Sequence, residues 1–427
     1  MKLSRLKTDR QLDTFNNRGL KIQTYGEKND QPQRIAEVVE ASATATSCVN
    51  IYTKFIAGRG FADAAFYKRA VNSRGTTVDA LLRSVAEDYA LFGGFAIHVN
   101  YNGLGEITTV SHVPFEWLRF EELDENFRFD RLALHPDWGR RFTKLRPFRN
   151  KDIEYFHFFD PRPEIVERQV QEAGGWNGYR GQILYYSNRG EKTYPLPIFA
   201  AALTDMSTEE GLSNIRLRNA RNGFFLGGMF IDYDNTANSG DQARETKAEL
   251  TAFQGDAEAG KLLYVNVRNG EMPPEFKPFK SSNYDKDFEQ AEKSVPDTIG
   301  RAFMQPPILR AEDVGANFGA DLMTNAYDFY NSITEDERMA VSRQFRRIFE
   351  RWHDRTINPA GNYEILPKVY RVNATVAEQL GANVDKVLEI IFDGTKGEPA
   401  KRAVLSIVYG LDDESINELL GALQHVD

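Results

Sequence analysis

Apolar residues recur at helical spacing through Ile198, Ala202, Met206, Leu212, Ala220 and Phe224, and again through Phe288, Ala291, Val295, Ile299 and Ala302. The stretch from Thr193 to Phe318 therefore predicts two long helices. The first opens near Tyr194-Pro195-Leu196-Pro197, where prolines suit a turn whose amides have no partner to lose, and ends at Asn222-Gly223. Glu209 and Arg216 fall inside its apolar stripe, two turns apart, where a helix buried in a monomer rarely carries charge. The second helix contains Pro296, which deprives the carbonyl of Glu292 of its amide partner and predicts a kink, and it stops at Gln305-Pro306-Pro307. Between the rods, residues 227–232 and 261–267 predict strands and 241–253 a short polar helix. The two rods read as a hairpin joined by a small module and standing away from its base.

Upstream, residues 1–30 mix charges and amides and read as an arm with little core to offer. Residues 34–57 repeat apolar positions at helical spacing and predict a helix or a helix pair. A further helix starts at Thr76 and ends at Gly93-Gly94. Residues 95–101 then alternate with period two, Asn102-Gly103 turns, and residues 106–113 alternate again, which predicts a hairpin. Further strands are expected within 117–134, 153–159 and 182–186, so the first 190 residues predict an α+β domain with an antiparallel sheet. Downstream of the rods come a loop at 309–318, one long helix over 321–352, and short helices over 376–392, 399–409 and 413–420.

The 427 residues, 41% of them apolar, are enough for two or three domains with real cores. No apolar run is long enough to span a bilayer, and the N-terminus lacks the pattern of a signal peptide, so a protein kept in the cytosol is expected. Cys48 is the single cysteine, which excludes an internal disulfide and reads as a small buried side chain. A formal charge of -9 argues against a surface built to grip phosphates. Two basic groups stand out: Arg140, Arg141, Lys144, Arg146, Arg149 and Lys151 in one loop-like stretch, and Arg216, Arg218 and Arg221 near the end of the first rod.

Sites for chemistry are sparse. Residues 255–262 have the spacing of a phosphate-cradling loop, but Leu262 stands where a magnesium-binding hydroxyl is needed and a strand follows where a helix must start. The six histidines form no metal-binding spacing, although His98 and His112 are placed to face each other across the predicted hairpin. Asp232 and Asp234 begin like a calcium loop, yet Ala243 occupies the position of its bidentate glutamate. No assembled nucleophile, metal cage or cofactor cradle is expected. The alternative reading is a cytosolic α+β enzyme with a site around Asp88, His98 and His112.

Three phrases and their order carry a resemblance. Glu87-Asp88-Tyr89-Ala90-Leu91-Phe92-Gly93-Gly94 precedes the first hairpin, Tyr194-Pro195 opens a long helix ending at Asn222-Gly223, and Ile299-Gly300-Arg301-Ala302-Phe303-Met304-Gln305-Pro306-Pro307 precedes a loop and another long helix. Over residues 38–352 this arrangement resembles the portal proteins of tailed bacteriophages and prophages. The resemblance implies an arm (1–30), a wing (31–190 and 320–372), two stem helices (191–222 and 281–304), an α/β clip (223–280), a tunnel loop (305–319) and a helical crown (373–427). It also implies a non-enzymatic ring, normally of twelve copies, at one capsid vertex of the virion, assembled in the host cytoplasm. Double-stranded DNA would be packaged through it by a terminase and later ejected, with head-tail adaptor, major capsid and scaffolding proteins as partners and no cofactor. Arg216, Arg218, Arg221, Arg310 and Asn317 become candidates for facing DNA, although the acids Glu312 and Asp313 beside Arg310 favour a steric role for that loop. Glu209, Arg216, Phe288, Val295 and Ile299 become candidates for the subunit interface, with the two charges satisfied by a neighbouring copy.

Overall fold

The computed structural model describes residues 14–17, 19–126, 128–138, 152–221, 228–231, 275–278, 284–310, 320–370, 397–409 and 416–417. The chain divides into two units, Met1–Lys368 and Val369–Asp427. The first opens with two short strands, β1 (Asn16–Asn17) and β2 (Ile22–Gln23), followed by helices α1 (Gln31–Ala41) and α2 (Ala43–Ala57). Ser42 separates these helices because its hydroxyl accepts from the amide of Ala45 at 3.0 Å and so caps α2. A helical turn, α3 (Ala64–Tyr67), leads to α4 (Val78–Phe92), capped by Thr77 and closed by Gly93 at φ +76°. Both glycines of the Gly93-Gly94 pair are required by crowding as well. A Cβ at Gly93 would lie 2.7 Å from the carbonyl of Leu196, and one at Gly94 would lie 2.6 Å from that of Tyr186.

The hairpin forms as its alternation predicts, β3 (Gly94–Tyr101) against β4 (Ile107–Val113). Strands β5 (Leu118–Glu121), β6 (Arg131–Leu134) and β7 (Glu154–Phe158) precede helix α5 (Pro163–Glu172) and strand β8 (Gln182–Ser187). Together they make an eight-stranded sheet in the order β1-β2-β5-β6-β7-β8-β3-β4. The expected antiparallel sheet is in fact mixed. β7 and β8 run parallel, pairing His157 with Gln182 and Phe158 with Ile183. A parallel pair needs a crossover, and α5, which the sequence reading did not predict, supplies it.

After the sheet come α6 (Leu203–Arg221), β9 (Gly228–Ile231), β10 (Glu275–Pro278) and α7 (Tyr284–Ala302), with β9 and β10 paired antiparallel. Helices α8 (Ala320–Ile333) and α9 (Glu335–Phe349) follow. The second unit contains α10 (Glu398–Tyr409), in which Arg402 bonds Asn417 at 2.6 Å and Leu405 is buried.

Several expectations change. The segment leading into α1 is not a loose arm in residues 14–30: Ile22 and Tyr25 are fully buried, and Tyr25 donates to the carbonyl of Pro195 at 2.9 Å. Arg119, buried on β5, donates to the Asn29 side chain at 2.6 Å and the Asn29 carbonyl at 2.8 Å, which fastens the same segment. The first rod starts at Leu203, because residues before it are drawn into loop contacts such as Asn188 Nδ2 to the Leu196 carbonyl at 2.8 Å. The long helix over 321–352 is two helices broken at Thr334, whose hydroxyl bonds back to Tyr330 and accepts from Arg338 at 2.6 Å. Residues 34–57 are a pair, and Cys48 is buried on the second helix as expected. The elements expected at 241–253, 261–267 and 376–392 lie outside the described residues.

Candidate functional site

Helices α6 and α7 lie side by side and are buried at one end. At that root Met206, Ile299 and Phe303 are fully buried, and Phe199 stacks on Phe303 with centroids 4.9 Å apart. Gln305, just past α7, donates to the Cys48 carbonyl at 2.7 Å and to the Tyr330 hydroxyl at 3.0 Å, tying the root to α2 and α8. Farther out the cover thins: on α6, Ser213, Asn214, Arg216 and Leu217 are exposed, the last at 48% of its surface. On α7, Glu289 and Lys293 pair at 2.8 Å and Asp297 and Arg301 at 3.0 Å, so that exposed face neutralises itself along the helix.

The two charges within the α6 stripe have partners in the same chain. Glu209 accepts from the hydroxyls of Ser42 and Thr44, the latter at 2.7 Å, which places a carboxylate at the first turn of α2 where the helix dipole favours it. Arg216 Nε lies 3.2 Å from Glu292 Oε1 on α7. The partner sought in a neighbouring copy is thus found at home, because α7 returns antiparallel beside α6 and α2 begins beneath it. Val295 and Ile299 are buried in the chain's own core, and Phe288 is half-buried.

Arg310 is turned inward rather than toward open space. Its side chain is 6% exposed, Nη1 donates to the Pro296 carbonyl at 3.2 Å, and Nη2 lies 3.5 Å from Asp297 Oδ1. Gly300 makes this possible, since a Cβ there would sit 1.5 Å from Arg310 Nη1. The side chains of Arg218 and Arg221, all of Asn317, and the basic stretch 140–151 lie outside the described residues.

Asp88, His98 and His112 do not converge. The β3–β4 register sets His112 opposite Ile97 and His98 opposite Ser111, so the two rings project from opposite faces of the sheet. His98 Nε2 lies 2.6 Å from the Arg180 carbonyl, and burial lowers its pKa from the ordinary 6.5 despite that bond. His112 Nε2 lies 2.7 Å from Asp88 Oδ2, which also accepts from the Phe115 amide at 3.1 Å. Burial pushes the Asp88 carboxyl above its ordinary range, with both bonds opposing. These are two separate polar ties, one to a loop and one between α4 and β4.

Among the described residues, no group of three or more His, Cys, Asp or Glu side chains is placed to hold a metal ion, and no helix is long and apolar enough to cross a membrane. Sequence reasoning missed the bonds from the Ser42 and Thr44 hydroxyls to Glu209, and it missed the buried Arg119. For the first, the Ser42-Ala43-Thr44 start of α2 was a legible cap signal, but its acid partner is 165 residues away from Thr44.

No protein-family profile matches the chain, and no curated protein matches it. Similar chains do occur among solved structures. The neck of an empty GTA particle computed with C6 symmetry aligns with TM-score 0.49 and 14% identity, over 90% of this chain and 94% of that one. The neck of a native GTA particle computed with C12 symmetry aligns with TM-score 0.45 and 15% identity, over 89% and 94%. An HK97-family phage portal protein from Corynebacterium diphtheriae aligns with TM-score 0.41 and 12% identity, over 69% and 85%.

Proposed function

We propose that this chain is a portal subunit, one copy of a ring at a capsid vertex through which double-stranded DNA passes. The observation that carries the reading is the α6–β9–β10–α7 excursion: two 19-residue helices buried at their shared root, joined at the far end by an antiparallel ribbon, with Leu217 left exposed toward that end. An α+β unit gains little by sending out such a hairpin alone. Copies arranged side by side would cover it, and a closed heterologous contact yields a ring.

Under this reading the ring is dodecameric, nucleates the procapsid, receives DNA from a terminase docked at the β9–β10 end, and later binds a head-tail adaptor. The net charge of -9 per copy supports loose passage, since an acidic lumen repels phosphates and lets DNA slide. Arg218 and Arg221 remain candidates for touching DNA, and Asn317 for the loop that narrows the path. The enzyme alternative keeps an Asp88–His112 contact at 2.7 Å but loses His98 from its three-residue site, because the strand register sends His98 and His112 to opposite faces. Negative-stain images of the purified protein test the proposal. Rings with countable subunits are expected, whereas monomers and dimers alone at high concentration would overturn it.

A further inference from the structure

Glu337, half-buried in the first turn of α9, reaches across to α2. Its Oε1 accepts from the Tyr52 hydroxyl at 2.9 Å, while its Oε2 is buried without a hydrogen-bond partner among the described residues. A bare buried oxygen is costly once the carboxyl is ionised. The adjacent cation gives little relief, because Arg338 Nη1 donates to Thr334 Oγ1 at 2.6 Å and to the Phe55 carbonyl at 3.2 Å, and Nη2 to the Asn331 carbonyl at 2.6 Å. From the other elements the groups that meet Glu337 are phenols: Tyr89 of α4, Tyr186 of β8, on which Arg343 also acts, and Tyr330 of α8. On α9 itself Asp336 adds a like charge.

Burial holds the Glu337 carboxyl above its ordinary 4.5, outweighing its own amide and the Tyr52 bond, which both favour the carboxylate. The folded chain keeps this proton more tightly than the unfolded one. The group's contribution to stability is therefore full below 4.5 and is lost as pH rises through the folded value. Tyr52 carries that loss beyond α9. Its ring meets Phe303 edge-on at 6.2 Å and Tyr330 at 6.5 Å, and one turn earlier on α2 the Cys48 carbonyl accepts from Gln305 at 2.7 Å. A single turn of α2, residues 48–52, thus holds both the root of the α6–α7 hairpin and the start of α9.

We propose that Glu337 is a proton-operated latch on this joint: its neutral carboxyl closes the start of α9 onto Tyr52, and its ionised form loosens α9, and with it the seat of the α7 terminus, from α2. The break at Thr334 supplies the pivot. α8 ends at Ile333, α9 begins at Glu335, and the Thr334 hydroxyl bonds back to Tyr330 instead of capping α9. The inference does not depend on the ring reading, since every group in the latch belongs to one chain.

Hydrogen exchange of the full chain, read by mass spectrometry from about pH 4.5 to about pH 8 and corrected for the intrinsic pH dependence of exchange, tests the latch. In wild type, peptides over residues 48–57, 299–305 and 335–341 are expected to lose protection by at least about threefold as pH rises. Glu337→Gln, an uncharged isostere, should keep them protected across the series. Tyr52→Phe, which removes a bond to the charged form, should move the loss to higher pH. The readout is local because His98 and His157 act on global stability in the opposite direction. Circular dichroism monitors folding, and a Glu337→Gln chain that fails to fold overturns the latch, since a neutral side chain is what the closed joint holds. Wild-type peptides equally protected at every pH overturn it too, as does a Glu337→Gln chain that keeps the wild-type pH response or is loosened throughout. A Tyr52→Phe transition that stays in place or moves to lower pH overturns Tyr52 as the seat of the latch.

Discussion

Arg310 Nη1 donates to the carbonyl of Pro296 at 3.2 Å, and the guanidinium lies across α7 in the space left by the missing side chain of Gly300. Arg310, the last residue of the helical turn Pro307–Arg310, is thereby held to the segment of α7 that Pro296 weakens. Alanine is a better helix former than glycine by up to about 1 kcal/mol. In wild type, Gly300→Ala is expected to destabilise, because displacing Arg310 costs its bonds, on the order of 1–3 kcal/mol. In the Arg310→Ala background the same change should stabilise. Urea denaturation of the four members of this cycle reads the sign reversal, and equal effects in both backgrounds would reject the contact.

Glu209 accepts from Ser42 and Thr44, and Ser42 also caps α2. Glu209→Ala should cost about 1–3 kcal/mol by leaving both hydroxyls without their acceptor, and Ser42→Ala about 1 kcal/mol or more through the lost cap. The double variant should lose less than the sum, since one bond is shared. Strict additivity in thermal melts would show that the carboxylate does not act on the α2 start.

His98 is held neutral by burial, with a folded pKa below its ordinary 6.5. The unfolded chain therefore takes up the proton first as pH falls, so stability is full above the unfolded value and is lost as pH drops from there toward the folded one. The urea midpoint of wild type should fall between about pH 7.5 and about pH 5.5, and His98→Asn should fall less steeply. His157, also lowered by burial, contributes in the same direction and supplies the remaining slope in the variant.

Arg119 is fully buried, stacks near Tyr25 at 5.6 Å and Trp138 at 5.3 Å, and burial lowers its pKa to about 10, so it stays charged at neutral pH. Arg119→Met should destabilise by about 3 kcal/mol or more, because the carbonyls of Asn29, Glu116 and Leu118 lose a charged donor in the interior. Arg119→Lys should recover little, since one ammonium does not span that fan of acceptors. Proteolysis within residues 14–29 should speed up in both variants; unchanged protection would show that Arg119 does not hold this segment.

Arg218 and Arg221 sit three apart near the end of α6. Under the proposed portal reading, changing both to alanine is expected to leave ring assembly unaltered while changing the DNA packaged per particle, and an unchanged yield removes them from the proposed path.

The sequence by itself determined those elements whose signal is local. Period-two alternation around Asn102-Gly103 specified the β3–β4 hairpin, the threonine start at Thr76 and Gly93-Gly94 bounded α4 to within a residue, and the stripe through Phe288, Val295 and Ile299 marked α7, because side-chain periodicity and end capping act over a few residues. Tertiary structure alone decided what depends on partners far along the chain. It decided that β7 and β8 run parallel, that Tyr25 and Arg119 draw the segment before α1 into the core, and that Glu209 and Arg216 are answered within one chain. It also decided that Arg310 folds back over Gly300 and that His98 and His112 leave the sheet on opposite sides. Charge and burial at those positions are set by which distant groups the fold brings within a few ångströms, and no spacing along the chain encodes that distance.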